Sequence, residues 1–312
     1  MSTDKSVLKE AQEGAAGRSV SESMPPKKRS QMRDVWRRFS KSKTAMVGLF
    51  IMVLLFILAI FADVIAPGDA RNPGYAIQNL RNTFQPPSWE HPFGTDNFGR
   101  DIFARIVHGS RISLQIGFLV VTASLILGVA LGAISGFYIG FVDNFIMRMI
   151  DILLAIPNMV LAIAIASALG PGLSSVMIAV SITAIPGYAR IVRASVLSLR
   201  EQEFIEAARS IGAGDLRIIV RHILPNCTAP IIVQATMGMA TAIALAAALS
   251  FIGIGIQPPL PEWGAMLSES RRFIRDHWHM VTFPGLAIAC VIYGLNMLGD
   301  GLRDAFDPRL KK

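Results

Sequence analysis

Charged side chains are sparse along most of this chain, and the gaps between them limit what it can become. Five charge-free runs stand out, over residues 44–62, 112–142, 152–189, 222–261 and 277–299. An ionisable group is costly in hydrocarbon, and one helical crossing of a bilayer takes about 20 apolar residues, so each run holds at least one membrane span. The third is long enough for two, with Gly170-Pro171-Gly172 as the turn between them. Pro225 and Pro230 trim the fourth at one end and Pro258, Pro259 and Pro261 at the other, which leaves a single crossing. The pattern predicts an all-α, polytopic membrane protein with six transmembrane helices, over residues 45–66, 112–135, 145–168, 173–191, 229–255 and 281–302.

Six crossings put both termini on one side. Of the 30 lysines and arginines, eight arginines fall in segments on the opposite side and the other 22 on the side of the termini. Basic residues gather on the cytoplasmic face of inner-membrane proteins, so the termini are expected in the cytoplasm and residues 67–111 and 256–280 outside. Residues 1–31 are polar, lack hydrophobic periodicity and are expected to be a disordered tail. Over residues 32–44 the pattern changes: Met32, Val35, Trp36 and Phe39 recur at helical spacing between arginines, as in a short helix lying at the headgroups. The first apolar run is too long and begins too late for a cleaved signal peptide, so it is expected to stay as an anchor.

Composition agrees. The chain is 52% hydrophobic and 17% charged, against about 25% charged in an ordinary soluble domain. Its net charge of +8 is explained by lipid headgroups; no nucleic-acid motif accompanies it. Cys227 and Cys290 lie in apolar stretches without metal-ligand spacing, so neither a disulfide framework nor a zinc site is expected. Asp63, Arg148, Asp151, Arg190, Asp300 and Arg303 fall near predicted span ends, within reach of headgroups or water. There is no HExxH, no GxSxG, and no Gly-Lys pair from which a phosphate-binding loop could be built. The chain is therefore expected to be no enzyme, to bind no cofactor or metal, and to leave any nucleotide hydrolysis to another protein.

Within the second predicted helix Ser124, Gly128, Gly132, Gly136 and Gly140 form a four-residue stripe that would let another helix approach closely. Pro157 and Pro186 fall inside the third and fourth helices, where they free backbone carbonyls or kink the helix.

The segment between the fourth and fifth helices, residues 192–228, carries the most information. Phe204, Ala208 and Ile211 share one helical face, and Leu216, Ile219, Val220 and Ile223 share another. Asp215 is placed as an N-cap after a glycine turn, and Pro225 closes the element. Two short amphipathic helices joined by a sharp bend are predicted, a compact knob suited either to a cytoplasmic partner or to packing on its own bundle.

Glu206-Ala207-Ala208, then Gly212, then Leu224-Pro225 resemble the EAA loop of ABC-importer permeases. His222 departs from the apolar residue expected two positions before Leu-Pro. The runs Phe93-Gly94-Thr95-Asp96-Asn97-Phe98-Gly99-Arg100-Asp101-Ile102, Gln257-Pro258-Pro259-Leu260-Pro261-Glu262-Trp263-Gly264 and Gly299-Asp300-Gly301-Leu302-Arg303-Asp304-Ala305-Phe306-Asp307-Pro308 are similar to the C-type permease of dipeptide, oligopeptide and glutathione importers. The resemblance extends from about residue 33 to the end. It implies the transmembrane domain of a type I ABC importer over residues 45–312, with a related second permease subunit, two ATPase subunits that carry ATP and magnesium, and an external solute-binding protein. It further implies that Phe204, Glu206, Ala207, Ala208, Gly212, Asp215, Leu224 and Pro225 couple the chain to the ATPases: Glu206 by polar contacts, the alanines by permitting close approach, Gly212 by the bend. Short peptides are the expected solute, with glutathione and nickel chelates as alternatives. An ion-coupled secondary carrier is the competing class, but it would need inverted repeats and buried ion ligands, and neither is found.

Overall fold

A computed structural model describes residues 31–68 and 72–307. The expected tail, up to residue 30, and the last five residues lie outside the described residues.

The chain opens with α1 (Gln31–Phe39), on the segment expected at the headgroups, and turns at Ser42, whose side chain accepts the Ala45 N–H and caps α2 (Lys43–Ile60). A one-turn helix, α3 (Ala62–Ile65), ends the first crossing. The helices α4 (Ile102–Phe137), α7 (Leu173–Arg200), α10 (Thr228–Ile252) and α12 (His279–Phe306) follow the remaining predicted spans, with ends shifted by several residues. Among the described residues five helices are long and apolar enough to cross a membrane, or six when one bent pair is taken as a span.

That bent pair departs from expectation. Residues 145–168 form not one helix but two, α5 (Phe141–Ala155) and α6 (Asn158–Leu169), meeting at 90°. Proline has no N–H to donate and disfavours the helical conformation in the residue before it, and Ile156 and Pro157 are both extended (ψ 128° and 130°). Ion pairs hold α5 in its turned position: Arg193 of α7 grips Asp143 with two bonds of 2.7 and 2.6 Å, and Arg190 reaches Asp151 at 2.6 Å. Pro186, by contrast, is carried inside α7.

The longest helix, α4, packs most extensively on α7. A Cβ added at Gly128, Gly132 or Gly136 would come within 2.5, 2.4 and 2.9 Å of Tyr188, Ala189 and Arg193 atoms, and Ser124 donates to the Ser181 carbonyl at 3.1 Å. Gly140 does not belong to this stripe. It sits at φ +101° with open space around it and begins α5. At the other edge of the bundle α2 lies on α12, backbone against backbone at Gly48 and Gly294.

The N-terminus of α4 extends ten residues beyond its predicted start because its charged side chains are partnered. Arg105 donates to Asp96 and Glu269, His108 to the Ala66 carbonyl at 3.0 Å, and Arg111 pairs with Asp63 at 2.8 Å. Asp101 caps the helix by accepting the Ala104 N–H. The two segments expected outside lock together around this end. Asp96 accepts the backbone N–H groups of Phe98 and Arg100 and the side chains of Arg100 (2.6 Å) and Arg105 (2.7 Å), and both arginines continue to Glu269 at 3.0 and 2.8 Å. Glu269 lies on a helix inside the second of these segments, α11 (Trp263–Ser270), capped by Glu262. The buried Trp263 ring donates to the Ile106 carbonyl at 3.1 Å, in space left by Gly109. Burial pushes the Glu262 carboxyl above the usual carboxylate range, against hydrogen bonds from the Gly264 and Ala265 N–H groups and Ser250.

Candidate functional site

The segment between α7 and α10 is built as a bent knob. After α7 a two-residue link leads into α8 (Glu203–Ser210), with Glu203 and Glu206 in its first turn and Arg209 in its last, each complementing the helix dipole. The helix is closed by Gly212 at φ +81°, a left-handed conformation that costs other residues about 1–2 kcal/mol. Its N–H and that of Ala213 return to the carbonyls of Arg209 (2.9 Å) and Ala208 (3.0 Å). No atom lies within 4 Å of a Cβ placed on Gly212, so the glycine is required by backbone conformation and not by space.

The chain then enters α9 (Asp215–Ile218), whose N-cap is Gly214. Asp215 is therefore the first helical residue and not the cap, and its carboxylate instead accepts the Tyr138 hydroxyl at 3.1 Å. Desolvation and this carboxylate together raise the Tyr138 phenol above its ordinary range. A π-helical turn over Ile219–Ile223 and a 3-10 turn over Leu224–Cys227 carry the chain into α10 without a loop. The π turn, closed by the Leu224 N–H on the Ile219 carbonyl, accommodates one extra residue per turn. It thereby accounts for the departure at His222: the apolar side chain that turns into the core is Ile223, and His222 is left half-buried.

The knob has two apolar surfaces, and they differ from the two predicted faces. Ile205, Ala208, Ile218, Ile219 and Ile223 are buried together with Phe137, Val192 and Val196. Arg209 lies over the Phe137 ring at 5.4 Å and Arg200 donates to the Phe137 carbonyl at 3.0 Å, so the end of α4 is the seat on which the knob rests. Phe204, Ile211, Leu216 and Val220 point away, with exposures of 40, 86, 75 and 56%. Glu203, Glu206, Arg217 and Arg221 around them are exposed. Large apolar side chains left exposed among charged ones have the composition of an interaction surface.

Of the residues singled out in the sequence, Phe204, Glu206, Ala207, Gly212, Asp215 and Pro225 are thus exposed, Leu224 is half-buried, and Ala208 is buried against its own bundle. Sequence reasoning missed Ile211 and Leu216 as outward residues, because spacing alone does not say which of two apolar faces turns inward. It also missed Arg209 and Arg200, whose partners lie in a distant helix.

Two family models match the chain. The binding-protein-dependent transport system inner membrane component covers residues 128–312, and the N-terminal TM domain of oligopeptide transport permease C covers residues 30–87. The chain is 52% identical to the dipeptide transport system permease protein DppC of Alkalihalophilus pseudofirmus, over 90% of its own length and 91% of that protein's. It is 44% identical to the di/tripeptide transport system permease protein DppC of Pseudomonas aeruginosa (90% and 93%), and 47% identical to the glutathione transport system permease protein GsiD of Escherichia coli (92% and 93%). Its fold is also like that of a chain in inward-facing structures of the MetNI methionine ABC transporter, with TM-score 0.54 and 18% identity over 65% of this chain and 97% of that one. These matches set aside the ion-coupled carrier. The chain belongs to the family of binding-protein-dependent transport system inner membrane components, as a multi-pass permease subunit of an ABC importer whose ATP hydrolysis is carried by separate subunits.

Proposed function

We propose that this permease imports short peptides, paired with a related permease subunit above two ATPase subunits and fed by an external solute-binding protein. The 52% identity to a dipeptide permease along nine-tenths of both chains supports the solute class. Glutathione is a second reading, favoured by the 47% identity to a glutathione permease; it is itself a small peptide.

The outward face of the knob carries the coupling. Phe204, Ile211, Leu216 and Val220 would enter an ATPase cleft, with Glu206 making polar contacts at its rim, while Ala208 and the Arg209–Phe137 contact fix the knob to α4. One end of the knob leads into α7 through two residues and the other into α10 through none, so displacement of the knob by closing ATPases moves both spans. A state change can be driven only if the ATPases contact the two states differently, and a rigid knob joined directly to two spans provides that difference. In this orientation residues 192–228 and both ends of the described chain face the cytoplasm, and the interlocked outer segments face the binding protein.

Reconstitution of the whole assembly in proteoliposomes tests this. Labelled dipeptide should be taken up with ATP and binding protein present, and excess unlabelled glutathione should leave that uptake unchanged. Uptake of glutathione alone would select the second reading.

A further inference from the structure

A buried hydroxyl that finds no hydrogen-bond partner among the described residues lies between α6, α7 and α10, with two side-chain amides beside it. The Tyr188 hydroxyl is buried and unpaired, and beside it stand the side-chain amides of Asn158, which is exposed, and Gln234, which is half-buried. All three line one cleft of about 170 Å³, which Thr241 and Gly238 also border. The absence of a side chain at Gly238 makes room for the hydroxyl: a Cβ there would lie 2.1 Å from the Tyr188 oxygen. An unsatisfied buried donor or acceptor costs about 1–3 kcal/mol, so the Tyr188 hydroxyl indicates an occupant, and the two amides beside it are open to the same visitor.

The cleft lies at membrane depth. The twelve residues of α6 rise about 18 Å, little more than half of a hydrocarbon core of about 30 Å, and Gly170, which ends the helix, falls on the outer side in the topology proposed above. The extended residues Ile156 and Pro157 therefore fall within the core, and both are exposed on this chain. Backbone without helical hydrogen bonds is tolerated there only against protein or a water-filled cavity, so this side does not face lipid. Gln234 also borders a second cleft of about 500 Å³, lined by Val233, Met237, Arg303 and Phe306 at the knob end of the bundle. The two clefts thus share Gln234 as a wall, the larger one lying toward the knob end of the bundle.

We propose that Asn158, Tyr188 and Gln234 form an uncharged way-station on the solute path, which holds the main-chain amides of a passing peptide. Amide and hydroxyl groups offer donors and acceptors together, as the peptide bond requires, and no charged residue lines the smaller cleft to select among side chains. The proposal rests on the peptide-importer reading for its solute, but not for the cleft being open to water.

Two measurements on the full assembly test it. Gln234→Cys, in a chain whose exposed Cys290 is replaced by Ala, is treated in inside-out vesicles with a membrane-impermeant anionic thiosulfonate; Cys290→Ala alone gives the background. Separately, Tyr188→Phe and Gln234→Leu assemblies are assayed for dipeptide uptake, with co-purification of the partner subunits as the check on folding. Labelling above background, together with uptake about two- to tenfold lower in both variants at normal assembly, is the expected result. Absence of labelling would mean that another subunit fills the cleft, and would overturn the proposal. Labelling with wild-type uptake in both variants would overturn it equally, since the cleft would then be wet without holding solute. If the unmodified assembly carries no peptide, the peptide-importer reading fails and the solute class falls with it, while the labelling still reports on the cleft itself.

Discussion

The guanidinium of Arg209 lies 5.4 Å from the centre of the Phe137 ring, joining the end of the first knob helix to the end of the longest span. Apolar burial holds the rest of the knob to the bundle, through Ile205, Ala208 and Ile218, but this contact fixes the exposed corner just before the Gly212 bend. A cation over an aromatic ring at an exposed site is worth about 0.5–1 kcal/mol, too little to unfold the chain. Arg209→Ala is expected to assemble normally and to lower dipeptide uptake per ATP hydrolysed about two- to fivefold. Phosphate release and uptake measured on the same proteoliposomes would check this.

Gly212 makes a sharper prediction because its conformation, not its surroundings, demands glycine. Gly212→Ala carries the left-handed penalty of about 1–2 kcal/mol, and the bend is expected to relax and turn Ile211 and Leu216 out of alignment. ATP hydrolysis should persist while uptake falls about tenfold or more. Gly212→Asn should retain most uptake, since asparagine tolerates this region better. Equal loss in both variants would point to a requirement for space, which the open surroundings of Gly212 contradict.

The outer clasp should behave as a structural unit. Asp96 accepts four hydrogen bonds and Glu269 two, and Asp96 and both arginines are buried. Breaking a buried ion pair from one side costs about 3–5 kcal/mol because the other charge is left uncompensated. Asp96→Asn is therefore expected to make the outer segments protease-sensitive and to lower the melting temperature of the purified assembly. Glu269→Gln, which leaves both arginines on Asp96, should have the smaller effect. Limited proteolysis and thermal unfolding in detergent would rank the two.

The long apolar helices and the position of the knob were legible because both rest on local pattern: apolar runs bounded by charge, and a Gly212–Pro225 punctuation between amphipathic turns. The right-angle break at Ile156–Pro157 was not, although Pro157 was visible, because the angle is set by Arg193 and Arg190 reaching Asp143 and Asp151 from another helix. Gly140 fits the four-residue spacing and still leaves the stripe, since the helix ends before it. The same limit applies to charge. Arg105, His108 and Arg111 interrupt an apolar run in sequence, yet they belong to a helix once partners some 40 to 160 residues away are in place. At the knob, period identified two apolar faces, and only tertiary packing showed that Ile205, Ile218 and Ile223 turn inward and Ile211 and Leu216 outward.

The outward turn of Leu216 allows the most direct test of coupling. A photo-crosslinking residue placed there, in the complete importer, should form an adduct with an ATP-hydrolysing subunit, and the same group at buried Ile218 should not. Adducts at Leu216 confined to the permease chain itself, or reaction only from the outer face of the membrane, would contradict a knob gripped by the ATPases.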